Sequence, residues 1–158
     1  MKILIGYYSR SGHTKKMADA IARGVKKENI TVAVKTFDRI TVDELLDYEA
    51  IIFGSPTYYG LMAAEVKRLF DESVKIHGKL SGKVGGAFSS SGMMGGGGET
   101  TIMSILEAFM VHGMIIVGDA RLQHMGPLAI GDPDGNAIDT CEKYGQKIAE
   151  LAKKVFTE

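Results

Sequence analysis

The sequence contains one cysteine, carries no net charge and has no long apolar run in its 158 residues. A lone thiol, Cys141, can form neither an internal disulfide nor a CxxC pair. That excludes a disulfide framework and dithiol redox chemistry, argues against structural zinc, and fits a reducing compartment, so a cytoplasmic location is expected. Nineteen Lys and Arg balance nineteen Asp and Glu. With no summed field to draw the chain onto nucleic acid or anionic lipid, neither is expected as a partner. The longest apolar stretches, Ala50 to Phe53 and Met114 to Val117, fall far short of the roughly 20 residues that span a bilayer. Met1-Lys2-Ile3 runs straight into a strand-like segment, so no signal peptide and no membrane anchor are expected. The length corresponds to about one domain, residues 1–158, which buries roughly 70% of its unfolded surface and forms a core without staples.

Glycine is what the chain has in excess. There are 20, and eight of them fall between Gly82 and Gly98, nearly twice the usual overall frequency and strongly clustered.

The apolar pattern alternates between strand and helix. Lys2 to Tyr8 reads as a strand covered on both faces. From His13 a helical period places Met17, Ala18, Ile21, Ala22 and Val25 on one face, fading near Asn29. Thr31 to Phe37 alternates as a strand nearer an edge would, and Ala50 to Phe53 is a third strand. The stretch from Thr36 to Tyr48 leaves room for a short crossover at best. Ala63, Val66, Phe70 and Val74 share one helix face, and Val84 to Phe88 makes a fourth strand. Ile102, Ile105, Leu106 and Phe109 repeat the helical spacing, with a stop at His112-Gly113, before a fifth strand at Met114 to Val117. Ile138, Cys141, Tyr144, Ile148, Leu151 and Val155 form a last amphipathic helix, with Cys141 as a small core residue. Such alternation means a doubly wound α/β fold: a parallel sheet with right-handed crossovers, helices on both faces, and a ligand at the carboxyl edge of the strands.

Three loops lie at that edge. Ser9-Arg10-Ser11-Gly12-His13-Thr14 joins a buried strand to a helix start, where hydroxyls and backbone N–H groups can ring a phosphate. It is not a Walker A loop, because five residues separate Gly6 from Gly12 and no lysine follows; GxGxxG is also missing. ATP, GTP and a Rossmann dinucleotide site lose their support. The second loop, Gly54 to Gly60, sets Pro56, Thr57, Tyr58 and Tyr59 directly after a strand, with two aromatic faces for a conjugated ring and Gly60 allowing close backbone approach. The third, Ser89-Ser90-Ser91-Gly92 through Gly95, Gly96 and on to Thr101, offers small side chains and many N–H donors. Only a ligand with a phosphate at one end and a polar aromatic ring at the other uses all three.

Tyr7-Tyr-Ser-x-x-Gly-His13, Tyr48-x-Ala-Ile-Ile-Phe-Gly-x-Pro-Thr57, Phe88-Ser-Ser-x-Gly92 with Gly95-Gly-Gly97, and His112-Gly-Met114 run in order over most of the chain. In these motifs the sequence resembles the flavodoxin superfamily, and within it the NAD(P)H:quinone oxidoreductases of the tryptophan-repressor-binding-protein type. The resemblance implies a five-stranded parallel sheet in the order 2-1-3-4-5 and FMN as cofactor. It carries FMN contacts over to Ser9 through Thr14, Thr57, Tyr58, Tyr59, Ser90, Ser91, Gly92, Gly95, Gly96 and His112, the last contributed by a neighbouring subunit in a tetrameric family. Pro56, Gly60 and Ser89 complete the cofactor loops. Backbone near Gly60 is expected to face flavin N5, and N–H groups of Ser90 to Gly97 to face N1 and O2. His13, His77 and His124 lack ligand-like spacing, and no metal is expected.

Three reductase features are missing: an aromatic residue where this chain has Ser11, a tryptophan in the segment from Ser73 to Leu80, and an insertion before the third strand. Single-electron flavodoxins, for their part, are generally strongly acidic, which this chain is not. The leading expectation is therefore an electron carrier whose flavin holds the chemistry and which serves a redox partner protein. The alternatives are a quinone reductase using NAD(P)H, and a flavin-free adaptor on the same fold. A homodimer or homotetramer is open, and the apolar pairs Leu61-Met62 and Met93-Met94 near the proposed site are open as a dimer contact, a gate over the flavin, or neither.

Overall fold

The three most apolar segments become the three central strands. β1 (Lys2–Tyr7), β3 (Ala50–Pro56) and β4 (Val84–Ser91) lie side by side, and Ile3, Leu4, Ile5, Ile51, Ile52, Phe53 and Phe88 are wholly buried. The computed structural model describes residues 1–157. β2 (Thr31–Thr36) pairs outside β1 and β5 (Ile115–Ile116) outside β4, so the order is β2-β1-β3-β4-β5, with every pairing parallel.

The two-residue side-chain period of a strand splits the core into two layers. Ile3, Ile5, Ile52 and Phe88 face α1 (His13–Lys27) and α4 (Gly135–Phe156); Leu4, Ile51, Phe53 and Ala87 face α2 (Ala64–Glu72) and α3 (Gly98–Val111). α4 starts at Asp134, whose side chain accepts from Ala137 N–H at 2.8 Å. Cys141 is fully buried in the first layer, and burial pushes its thiol up to about 12.

Thr36 to Tyr48 holds only a short crossover, two 3-10 turns at Phe37–Arg39 and Asp43–Asp47, in line with the sequence reading. Two elements depart from that reading. α2 stops at Glu72, before Val74: Ser73 Oγ donates to Phe70 O at 2.6 Å, the chain tightens into a 3-10 turn over Ser73–Ile76, and Val74 is left 74% exposed. The fifth lane is shared. β5 covers only Val84–Gly85, and a sixth strand, β6 (Leu128–Ile130), returns parallel beside Ser89–Ser91.

The excursion between β5 and β6 is held in shape by hydrogen bonds within it and to α4. Asp119 Oδ1 accepts from the N–H groups of Arg121 and Leu122, while Oδ2 meets Lys147 Nζ at 2.9 Å. That hydrogen bond to Lys147, with the backbone donors, holds the Asp119 carboxyl down to about 2. The Gln123 amide clips Leu128, donating to its carbonyl and accepting from its N–H. Among the described residues no helix is long and apolar enough to cross a membrane.

Candidate functional site

Parallel strands end on one edge, so the loops after β1, β3 and β4 are neighbours however far apart they lie in sequence. The first loop turns through Gly12, whose φ of 93° is accessible to glycine at little cost and which caps α1 without a side chain. Ser9 Oγ accepts from the N–H groups of Gly12 (3.1 Å) and Lys15 (3.3 Å). The N–H groups of His13 and Thr14, as first-turn donors, have no intrahelical partner. They point out of the positive end of a 15-residue helix.

After β3, Tyr58 and Leu61 exchange two backbone hydrogen bonds, at 3.1 and 3.0 Å. The two residues between them have left-handed φ, 51° at Tyr59 and 76° at Gly60. This is a tight hairpin of the type I′ class, in which a tyrosine occupies a position that favours Asn or Gly. The Tyr59 side chain stands fully in solvent. Tyr58 packs edge-to-face against Tyr8, ring centroids 6.4 Å apart. The Tyr8 phenol is raised, first by the Glu65 carboxylate and then by burial. Ser55, wholly buried, accepts from Ala63 N–H at 2.8 Å and so ties the end of β3 to the start of α2.

The third loop joins the other two. Ser90 Oγ and Thr14 Oγ1 are 2.9 Å apart; Ser89 Oγ and Thr57 Oγ1 are 3.1 Å apart; Thr57 N–H donates to Ser90 O. Ser91 Oγ donates to Met93 O, closing the turn before Gly96. Gly97 passes so near the tyrosine turn that a Cβ there would lie 2.6 Å from Gly60 Cα. The three loops thus bound one stretch of the sheet edge, here called the slot: the α1 N-terminal N–H donors at one end, an aromatic turn and a glycine-rich loop at the other.

Residues 4–106 match the family described as Flavodoxin domain. The chain belongs to the flavodoxin superfamily. A flavodoxin of Clostridium saccharobutylicum is 35% identical, the alignment covering 99% of this chain and all of that one. An NAD(P)H dehydrogenase (quinone) of Archaeoglobus fulgidus is 32% identical over 98% of both chains. Among solved structures, a flavodoxin, WrbA-like protein from Agrobacterium tumefaciens superposes with a TM-score of 0.85 at 28% identity, covering 97% of this chain and 98% of that one. The protein therefore stands close to the WrbA-type branch of the flavodoxin superfamily.

Within this flavodoxin fold, Ser9 to Thr14, Pro56 to Gly60, and Ser89 to Gly92 with Gly95 and Gly96 lie on one edge of the sheet, joined by the Thr14–Ser90 and Thr57–Ser89 contacts. His112 does not join them in its own chain. It closes the C-terminal end of α3, about 21 Å along that 14-residue helix from the slot. There it is buried against Phe70, its Nε2 lies 2.8 Å from Ser73 Oγ, and its Nδ1 has no partner among the described residues. Because the Ser73 proton goes to Phe70 O, the imidazole donates through Nε2. Burial, and then His77, lower its pKa. A helix starting at the ligand edge necessarily ends at the opposite edge of the sheet, which is why its C-terminal residue is carried away.

Gly60 O is also turned from the slot, accepting from Thr100 Oγ1 at 2.7 Å. Sequence reasoning missed Thr100, and it missed Asp132, which follows β6 and draws in His13 (3.8 Å) and Lys16 (2.5 Å) beside the first loop. The hydrogen bond from Lys16 lowers the Asp132 carboxyl. The Asp-Pro-Asp-Gly run at 132–135 was the only available signal for that contact. A separate cleft of about 690 Å³ lies between Gly118–Leu122 and α4, and its Asp119 and Lys147 are already paired with each other.

Proposed function

We propose that this flavodoxin-family protein binds FMN in the slot and passes electrons through it to or from a redox partner. The observation that carries the reading is the convergence of three loops, from opposite halves of the sequence, around one site with anion donors at one end and an aromatic turn at the other. The residues fit that cofactor. Gly12 has no side chain to cap α1, and the N–H groups of His13 and Thr14 are left for a phosphate while Ser9 Oγ takes that of Lys15. A Cβ added at Gly92 or Gly95 meets nothing within 4 Å among the described residues, so both face open space where a ring can lie.

Bound FMN supplies reversible redox chemistry at its isoalloxazine ring. The chain supplies position. Ser9 to Thr14 hold the phosphate, Tyr58 and Tyr59 flank the ring, and Ser90 to Gly96 present N–H groups to its polar edge. No side-chain acid or base is required.

A second reading, an NAD(P)H:quinone reductase, is favoured by the absence of net charge, which gives no summed acidic field to steer a basic partner protein. In that case NAD(P)H is the reductant and a small quinone the acceptor. A dimer or tetramer bringing His112 of one subunit to the ring loops of another belongs to this reading, and sedimentation tests it. The reducing cytoplasm is the compartment that suits either reading.

One preparation separates the possibilities. Purified protein that is yellow, or takes up added FMN with quenched fluorescence, supports the cofactor; a colourless protein that binds none sinks it in favour of a flavin-free adaptor. Mixed anaerobically with NADPH or NADH, a carrier keeps its oxidised spectrum and a reductase bleaches within seconds.

A further inference from the structure

We propose that Thr100, in the first turn of α3, is a positioning residue that latches the tyrosine turn against the glycine loop and thereby sets the geometry of the ring end of the slot. The proposal rests on the FMN reading above.

The tip of the turn has little else to hold it. Tyr59 is fully exposed, so no side-chain packing fixes its direction, and its φ of 51° is disfavoured for a residue with a Cβ. Strained backbone of this kind persists only where its surroundings over-determine it. The two backbone hydrogen bonds between Tyr58 and Leu61 define the hairpin, but they do not tie it to the rest of the protein. Thr100 does. Its hydroxyl lies 2.7 Å from Gly60 O and 2.9 Å from Gly97 O. Gly97 O already accepts from the N–H and the hydroxyl of Thr101. The single Thr100 proton is therefore directed to Gly60 O, the nearer acceptor.

The bond spans 40 positions and joins the exit of β3 to the start of α3. It works only because Gly97 has no side chain: a Cβ at that residue would strike Gly60 Cα at 2.6 Å. Thr100 thus holds the turn in contact with the glycine loop at Gly97, and that contact sets where the turn stands at the ring end of the slot. The same bond orients the Gly60 carbonyl toward α3, away from the slot.

The test compares apoprotein of the wild type, Thr100→Val and Thr100→Ser. Valine keeps the shape and removes the hydroxyl; serine keeps the hydroxyl. Titration with FMN is expected to give about fivefold weaker binding for Thr100→Val, the size of one net hydrogen bond, and affinity within about twofold of wild type for Thr100→Ser. At saturation, the visible circular dichroism of the flavin is expected to change in the valine variant alone. Amide exchange at Leu61, measured without cofactor, is expected to speed up in Thr100→Val and return to the wild-type rate in Thr100→Ser. Equal FMN affinity in all three proteins overturns the proposal, and so does a serine variant as weak as valine. Unchanged Leu61 exchange overturns the latch itself. Wild-type protein that takes up no FMN overturns the flavin reading, and the cofactor role of Thr100 with it, while Leu61 exchange still reports separately on the latch.

Discussion

Thr14 and Ser90, 76 positions apart, meet hydroxyl to hydroxyl at 2.9 Å in the interior. This contact ties the anion end of the slot to its ring end. Both residues are buried, so removing one hydroxyl strands the other without a partner. Thr14→Val and Ser90→Ala are each expected to lower stability by about 1–2 kcal/mol. The double variant should cost less than the sum, because no orphan remains. Urea unfolding of the four proteins measures this; strictly additive losses would show that the pair does not interact.

Tyr59 is expected to trade stability for binding. Asn tolerates the left-handed conformation better, and the exposed tyrosine ring gives up no packing when replaced. Thermal and urea unfolding of Tyr59→Asn should show a gain of about 0.5–1 kcal/mol. FMN titration should show weaker binding, through loss of one aromatic face. A less stable variant would mean that the turn is not strained.

Gly97→Ala should do damage on both counts. The added Cβ meets backbone at 2.6 Å, and φ is 92°. A loss of about 2 kcal/mol in unfolding experiments is expected, with FMN affinity reduced at least about tenfold. Gly92→Ala, where the Cβ enters open space, is the control and should leave stability within about 0.5 kcal/mol of wild type.

The buried His112 should make stability fall in mild acid. Its folded pKa lies below the ordinary value of 6.5, so the unfolded chain takes up the proton first. The contribution is intact above pH 6.5 and is lost as pH falls from there toward the folded value. Denaturant unfolding at pH 7.5 and pH 5 should show this loss in the wild type and a smaller one in His112→Gln. Equal pH dependence in the two proteins would exclude His112 as the source.

Much of this architecture is legible from local pattern. Ile3 to Ile5, Ala50 to Phe53 and Val84 to Phe88 are apolar enough to require burial on both faces, which makes them central strands. The period of Met17, Ile21 and Val25 requires a helix. Once alternation implies a parallel sheet, the loops after β1, β3 and β4 must share an edge, and the candidate site follows from chain order alone. What periodicity cannot encode is contact between particular side chains. The clip of Gln123 on Leu128 that lets the fifth lane restart as β6, the bond from Thr100 to Gly60, and the reach of Lys16 to Asp132 across 116 positions depend on where two backbones end up after folding. His112 sits beside its motif in sequence, yet the length and direction of α3 carry it to the opposite edge. Hydrophobic burial is set residue by residue along the chain. Hydrogen-bond partnership is set by distance in space, and only the packed sheet and helices fix that.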